Sequence, residues 1–109
     1  MTKEQVISIL ERMWLPKGVI DDRARKIRML AYSDSEIDEL GRSLEAQQKR
    51  HLAKLVGLLR DLHEATLGSQ ITRVEVAEVK RRMKEFGLLV PVQVIRRQFM
   101  DLYGERRYV

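Results

Sequence analysis

Two histidines, a run of four carboxylates and a basic C-terminal third are the residues of this chain whose types could do chemistry. His51 and His63 stand twelve positions apart. On one helix that separation turns their side chains about 120° away from each other, so they do not converge on a metal ion. His63 precedes Glu64 but has no second histidine four positions later, which removes the zincin pattern. The stretch DSEIDEL, Asp34 to Leu40, places its four carboxylates at a helix start, where negative charge favours the macrodipole. The six glycines are scattered and build neither a GxGxxG turn nor a P-loop. With no cysteine, the chain has no thiol nucleophile, no thiolate zinc site and no disulfide framework. The expectation is a non-enzymatic protein with no catalytic residue, no metal, no cofactor and no small-molecule substrate.

The basic residues carry more. On a helical projection Arg73, Lys80, Arg81 and Lys84 share one side of a helix with Ala77, while Arg82 lies elsewhere, near Glu78. On the next helix Arg96 and Arg97 share a side with Gln93 and Met100. If those sides adjoin, Arg73, Lys80, Arg81, Lys84, Arg96 and Arg97 form a patch for phosphates. The competing reading is a solvated face with Arg81 and Glu85 paired at i,i+4. Between the two helices lies GLLVP, which invites comparison with a helix-turn-helix. Counting from Gly87, the positions that must be apolar in that motif are Gln93 and Arg96. Extra turn residues give Val94 with Arg97 or Ile95 with Gln98, so the pattern fails. A hairpin corner fits better, with Gly87 left-handed at C′, Leu88 or Leu89 making the apolar contact, and Pro91 at N1. Aromatic residues for stacking on single strands are few. Trp14, Phe86 and Phe99 fall on core faces, which leaves Tyr103 and Tyr108.

Helical periodicity dominates the elements that would position these residues. The expected class is all-α: a compact bundle of about five helices in a single domain spanning 1–109, with a frayed tail at 105–109. Capping boxes at Thr2 with Gln5, Ser33 with Glu36 and Thr72 with Glu75 mark helix starts. Pro16 with Gly18, Gly68, Gly87 and Gly104 mark stops. The first helix, about 3–15, presents Val6, Ile7, Ile9, Leu10, Met13 and Trp14. The second, about 19–32, carries a stripe of Ile20, Ala24, Ile27, Leu30 and Ala31, with Asp21–Arg25 and Asp22–Lys26 spaced to pair. The fourth, about 73–86, is expected to bury Val76, Val79, Met83 and Phe86. The fifth, about 91–103, is expected to bury Val92, Ile95, Phe99 and Leu102, and these two helices should pack together.

The third segment, about 34–66, contains no proline and reads as one long central helix. Its length would be on the order of 50 Å, against a radius of gyration near 13 Å for a chain of this size, so its free end calls for a second subunit. A break near QQKRH, Gln47 to His51, is the alternative. Its stripe of Ile37, Leu40, Leu44, Leu52, Leu55, Leu58, Leu59 and Leu62 encloses Gln48 and His51, which either fix register in an oligomer or lie wet where the stripe surfaces.

Composition leaves two functions in competition. The chain carries 21 Lys plus Arg against 16 Asp plus Glu, a net charge of +5. The excess lies at both ends, with the middle acidic. No apolar run approaches the roughly 20 residues of a membrane span, and MTKEQVISILERMWLPKG lacks the apolar core of a secretory signal, so a soluble, cytoplasmic protein is expected. The first function is an interaction or assembly module, self-associating as a homodimer or taking a protein partner. Its surface would comprise Leu44, Gln48, His51, Leu52, Leu55, Leu59 and Leu62, with Leu88 and Leu89 at the corner. The second is a nucleic-acid-binding regulatory protein, for DNA or RNA, using the basic residues of helices two, four and five.

Overall fold

The structure, a computed structural model, describes residues 1–66 and 71–104. Among them the chain is all-α with no strand: α1 is Lys3–Glu11, α2 Lys17–Met29, α3 Asp34–Thr66, α4 Arg73–Glu85 and α5 Val92–Tyr103. The stop expected at Gly68 and the frayed tail lie outside the described residues. The chain divides into two compact units, Met1–His51 and Leu52–Val109, and each is described by itself.

In the first unit the Thr2 capping box forms in both directions, Thr2 Oγ1 accepting from Gln5 N and Gln5 Oε1 accepting from Thr2 N at 2.8 Å. The helix then ends four residues earlier than its periodicity suggests. Arg12 N donates to Ile9 O and Met13 N to Leu10 O, three-residue bonds that tighten the last turn. Pro16 is not the stop signal the sequence suggests. It is the N-cap of α2, at φ −56° and ψ 144°, and its carbonyl accepts from Val19 N and Ile20 N. The ring holds the chain extended while leaving the carbonyl free for the first helical bond, so Gly18 falls inside α2 and breaks nothing. At the other end Leu30 turns extended, at ψ 145°. Leu30 and Ala31 are therefore exposed and drop out of the expected α2 stripe. Lys3 of α1 reaches this end and donates to Leu30 O at 2.7 Å, a cation on the carbonyl terminus of a helix. Val6, Ile7, Ile9, Leu10 and Met13 close a core with Ala24 and Ile27 of α2 and Ile37 and Leu44 of α3.

In the second unit the Thr72–Glu75 box starts α4, and α4 packs on α5. The buried apolar residues are Leu55 and Leu59 of α3, Val76, Val79 and Met83 of α4, Leu88 and Val90 of the corner, and Ile95 and Phe99 of α5. The corner is a Schellman turn in full: Gly87 is left-handed at φ 77°, Gly87 N donates to Lys84 O, and Leu88 N donates to Met83 O. Leu88 holds the apolar position that accompanies such a turn and is buried, as is Met83, while Leu89 is exposed. Pro91 is the N-cap of α5 and not its first helical residue, and its carbonyl accepts from Val94 N and Ile95 N. It repeats the part played by Pro16.

Two further residues of the expected apolar stripes, both in the second unit, are exposed. Phe86 is 55% exposed, because it is the C-cap of α4 and its ring lies under Lys54 Nζ, 4.2 Å from the centroid. Val92 opens the first turn of α5 on its outward side and is also exposed.

Candidate nucleic-acid interface on the fourth and fifth helices

Ion pairing sorts the six basic residues that the sequence groups together. Arg81 grips Glu78 with two nitrogens, at 2.7 and 3.1 Å, and reaches Glu85 at 2.6 Å. Arg82 closes on the same Glu78 oxygen at 2.9 Å. These bonds, first from Arg81 and then from Arg82, hold the Glu78 carboxyl at about 2, far below its ordinary range. Arg81 is thus neutralised by its neighbours, and the i,i+4 pair with Glu85 forms as its spacing allows. Arg73, Lys80, Lys84, Arg96 and Arg97 are all exposed, and among the described residues none has an acidic partner.

The packing fixes which side of the hairpin carries them. On α4, Glu78, Val79 and Arg82 line a shallow groove with Leu58, Asp61 and Leu62, so this edge of the helix faces α3. Arg73, Lys80 and Lys84 border the other edge of the buried stripe. On α5, Phe99 and Tyr103 meet His63 of α3, with ring centroids at 6.0 and 3.8 Å. The opposite edge of the buried stripe of α5 carries the half-buried Val94 and Gln98, and Arg97 points directly away from Ile95 and Phe99. Arg73, Lys80 and Lys84 therefore share one exposed side of α4, while Arg97 stands in the middle of the exposed face of α5 with Asp101 beside it. Arg96 stands on the other margin of the same exposed face of α5.

The remaining candidates fall elsewhere. In α2, Arg25 and Lys26 both pair with Asp22, at 2.8 and 3.2 Å. Arg25 takes Asp22 in place of the expected Asp21, one turn position closer. Asp22 is held below the ordinary carboxylate range, chiefly by Lys26. The contribution expected from the second helix thus shrinks to Lys17 and Arg23, the α2 cations still lacking an acidic partner among the described residues.

Of the apolar surface proposed for a partner, Leu44, Leu55, Leu59 and Leu88 are buried within the chain itself, as is His51 at 9% exposure. Gln48 and Leu62 are half-buried, while Leu52 and Leu89 are exposed. A stripe read as an interface is largely the protein's own core.

His63 stacks on Tyr103 at an interplanar angle of 17°. Its Nδ1 is buried without a hydrogen-bond partner among the described residues. That contact was not legible from periodicity, which does not pair residues forty positions apart. Of the DSEIDEL carboxylates, Asp34 and Glu36 occupy the first turn of α3 as expected. Asp38 instead binds the N-terminal ammonium at 2.7 Å and Arg42 at 3.2 Å. No cluster of three potential metal ligands occurs among the described residues, and no described helix is long and apolar enough to cross a membrane.

Comparison of the chain with protein-family models, with curated proteins and with solved structures returned no match. The functional reading therefore rests on geometry and charge.

Proposed function

We propose that the protein is a nucleic-acid-binding module that contacts phosphates through the outer face of the α4–α5 hairpin. The observation carrying this reading is the sorting of its cations. Arg81 and Arg82 are paired with Glu78 and Glu85, whereas Arg73, Lys80 and Lys84 on one side of α4 and Arg97 on the exposed face of α5 have no acidic partner among the described residues. An unpaired cation releases condensed counterions when it meets a phosphate, and that release is the sequence-independent part of nucleic-acid affinity. Charge reversal of Lys80 and Lys84 together should abolish binding of a labelled mixed-sequence nucleic acid in fluorescence anisotropy at about 50 mM salt. An unchanged affinity in a variant of unchanged melting temperature would sink the proposal.

A second reading, self-association through an apolar surface, is favoured by the corner between α4 and α5. Phe86, Leu89 and Val92 are exposed there within seven residues of chain. Apolar burial is not screened by ions, so this reading expects an oligomer in sedimentation equilibrium that persists at about 0.5 M salt. A monomer under those conditions removes it.

A further inference from the structure

Resting on the phosphate-contact reading, we infer that the α4–α5 face takes duplex nucleic acid by its backbone and does not hold single strands by base stacking. The observation is the disposition of aromatic rings. Sequence-tolerant single-strand binders combine a basic groove with aromatic faces on which bases stack. In the second unit the described rings are engaged or turned away from these cations. Tyr103 is stacked on His63, and Phe99 is buried between them and the core. The Phe86 ring, though 55% exposed, carries Lys54 over one face and lies on the α3-facing side of α4, away from Lys80 and Lys84. Trp14 and Tyr32 belong to the first unit, where both are half-buried. Among the described residues of the second unit, no aromatic side chain shares the exposed side of α4 with Arg73, Lys80 and Lys84, and Tyr108 lies outside the described residues.

The geometry of the cations fits a stiff ligand. Arg73 and Lys84 are eleven positions apart on one helix, which is about 16 Å of axis at 1.5 Å per residue. Roughly ten duplex phosphates lie along that length of helix axis, one per about 1.7 Å. A straight rod of charge thus meets a row of fixed cations without first being ordered. A single strand presents fewer phosphates along the same line and would have to be straightened without the stacking that offsets that cost. Backbone contact is favoured over base reading because the corner does not follow the helix-turn-helix pattern, with Gln93 and Arg96 where a groove-entering helix needs apolar support.

The test is anisotropy of the full chain with three probes: two labelled duplexes of about 20 base pairs and unrelated sequence, and one of the component single strands. Salt is varied from about 50 to 200 mM. The expected result is tighter binding of both duplexes than of the single strand, on the order of tenfold at about 50 mM salt, from the greater charge density of the duplex. The two duplexes should agree within about threefold. Four phosphate contacts give a slope of log K against log salt near about −3.5, and Lys80→Gln with Arg97→Gln should reduce its magnitude by about 2. A single strand bound as tightly as the duplexes, or tighter, would overturn the duplex assignment while leaving phosphate contact intact. A more than tenfold difference between the two duplexes would overturn backbone reading. Failure of all three probes to bind at low salt would overturn both the inference and the proposed function.

Discussion

Gly87 and Gly57 are the same residue under opposite demands. Gly87 sits at φ 77° with open space where a Cβ would go, so any penalty for a side chain comes from the backbone alone. Gly87→Ala should destabilise by about 1 kcal/mol or slightly more, because left-handed backbone brings Cβ against the following carbonyl. Gly57 lies in the interior of α3, also with nothing within 4 Å of a built Cβ. Gly57→Ala should stabilise by about 0.5–1 kcal/mol, the helix-propensity difference. Urea denaturation of both variants checks the pair, and shifts of the same sign would contradict the assignment of one of them. Glu78 adds a pH dependence. Its folded pKa is depressed to about 2 from an ordinary 4.5, so its contribution to stability is present above about 4.5 and is lost as pH falls toward 2. The stability difference between the protein and Glu78→Gln should therefore shrink through that window. A carboxyl resonance of Glu78 titrating near 4.5 would contradict the paired geometry.

Helix ends decide how much of the elements could be read from the residues. The hydroxyl caps Thr2, Ser33 and Thr72 were legible because a capping box is a local pattern, satisfied by side chains three positions apart. Thr72→Ala should accordingly cost about 1 kcal/mol, measured by thermal unfolding. The left-handed Gly87 and the α4–α5 packing were legible for the same reason, since glycine followed by apolar residues marks such a corner. Proline was less readable. It ends one helix or begins the next with equal plausibility from sequence, and at Pro16 and Pro91 its carbonyl settles the matter by accepting the first bond of the following helix. Phe86 shows a different failure. Its spacing from Val79 and Met83 fits the core stripe, but a C-cap residue has already left the helical path, and a lysine from α3 was available to cover the ring. The candidate site was legible only as a set of charges. Which of them are free depends on Glu78 reaching two arginines at once, and i,i+3 and i,i+4 spacings permit several pairings among Glu78, Arg81, Arg82 and Glu85.

At the scale of the whole chain the +5 charge is less informative than the acids that restrain it. Glu78 and Glu85 sit on the same hairpin as the free cations and hold two arginines away from the pool that could meet phosphates. Replacing both with glutamine keeps side-chain length and helix propensity while adding two to the net charge and releasing Arg81 and Arg82. If the hairpin binds phosphates, this double variant should bind duplex more tightly at low salt, and its salt slope should steepen by up to about 2. The gain should fade as salt rises, since the added contacts are the ones most readily screened. Anisotropy at about 50 and 200 mM salt measures both effects against the unmodified protein. An affinity that does not change when two guanidinium groups are freed on the same hairpin would mean that the ligand, if any, approaches another surface. A gain that survives at high salt would point to new apolar contact in place of counterion release.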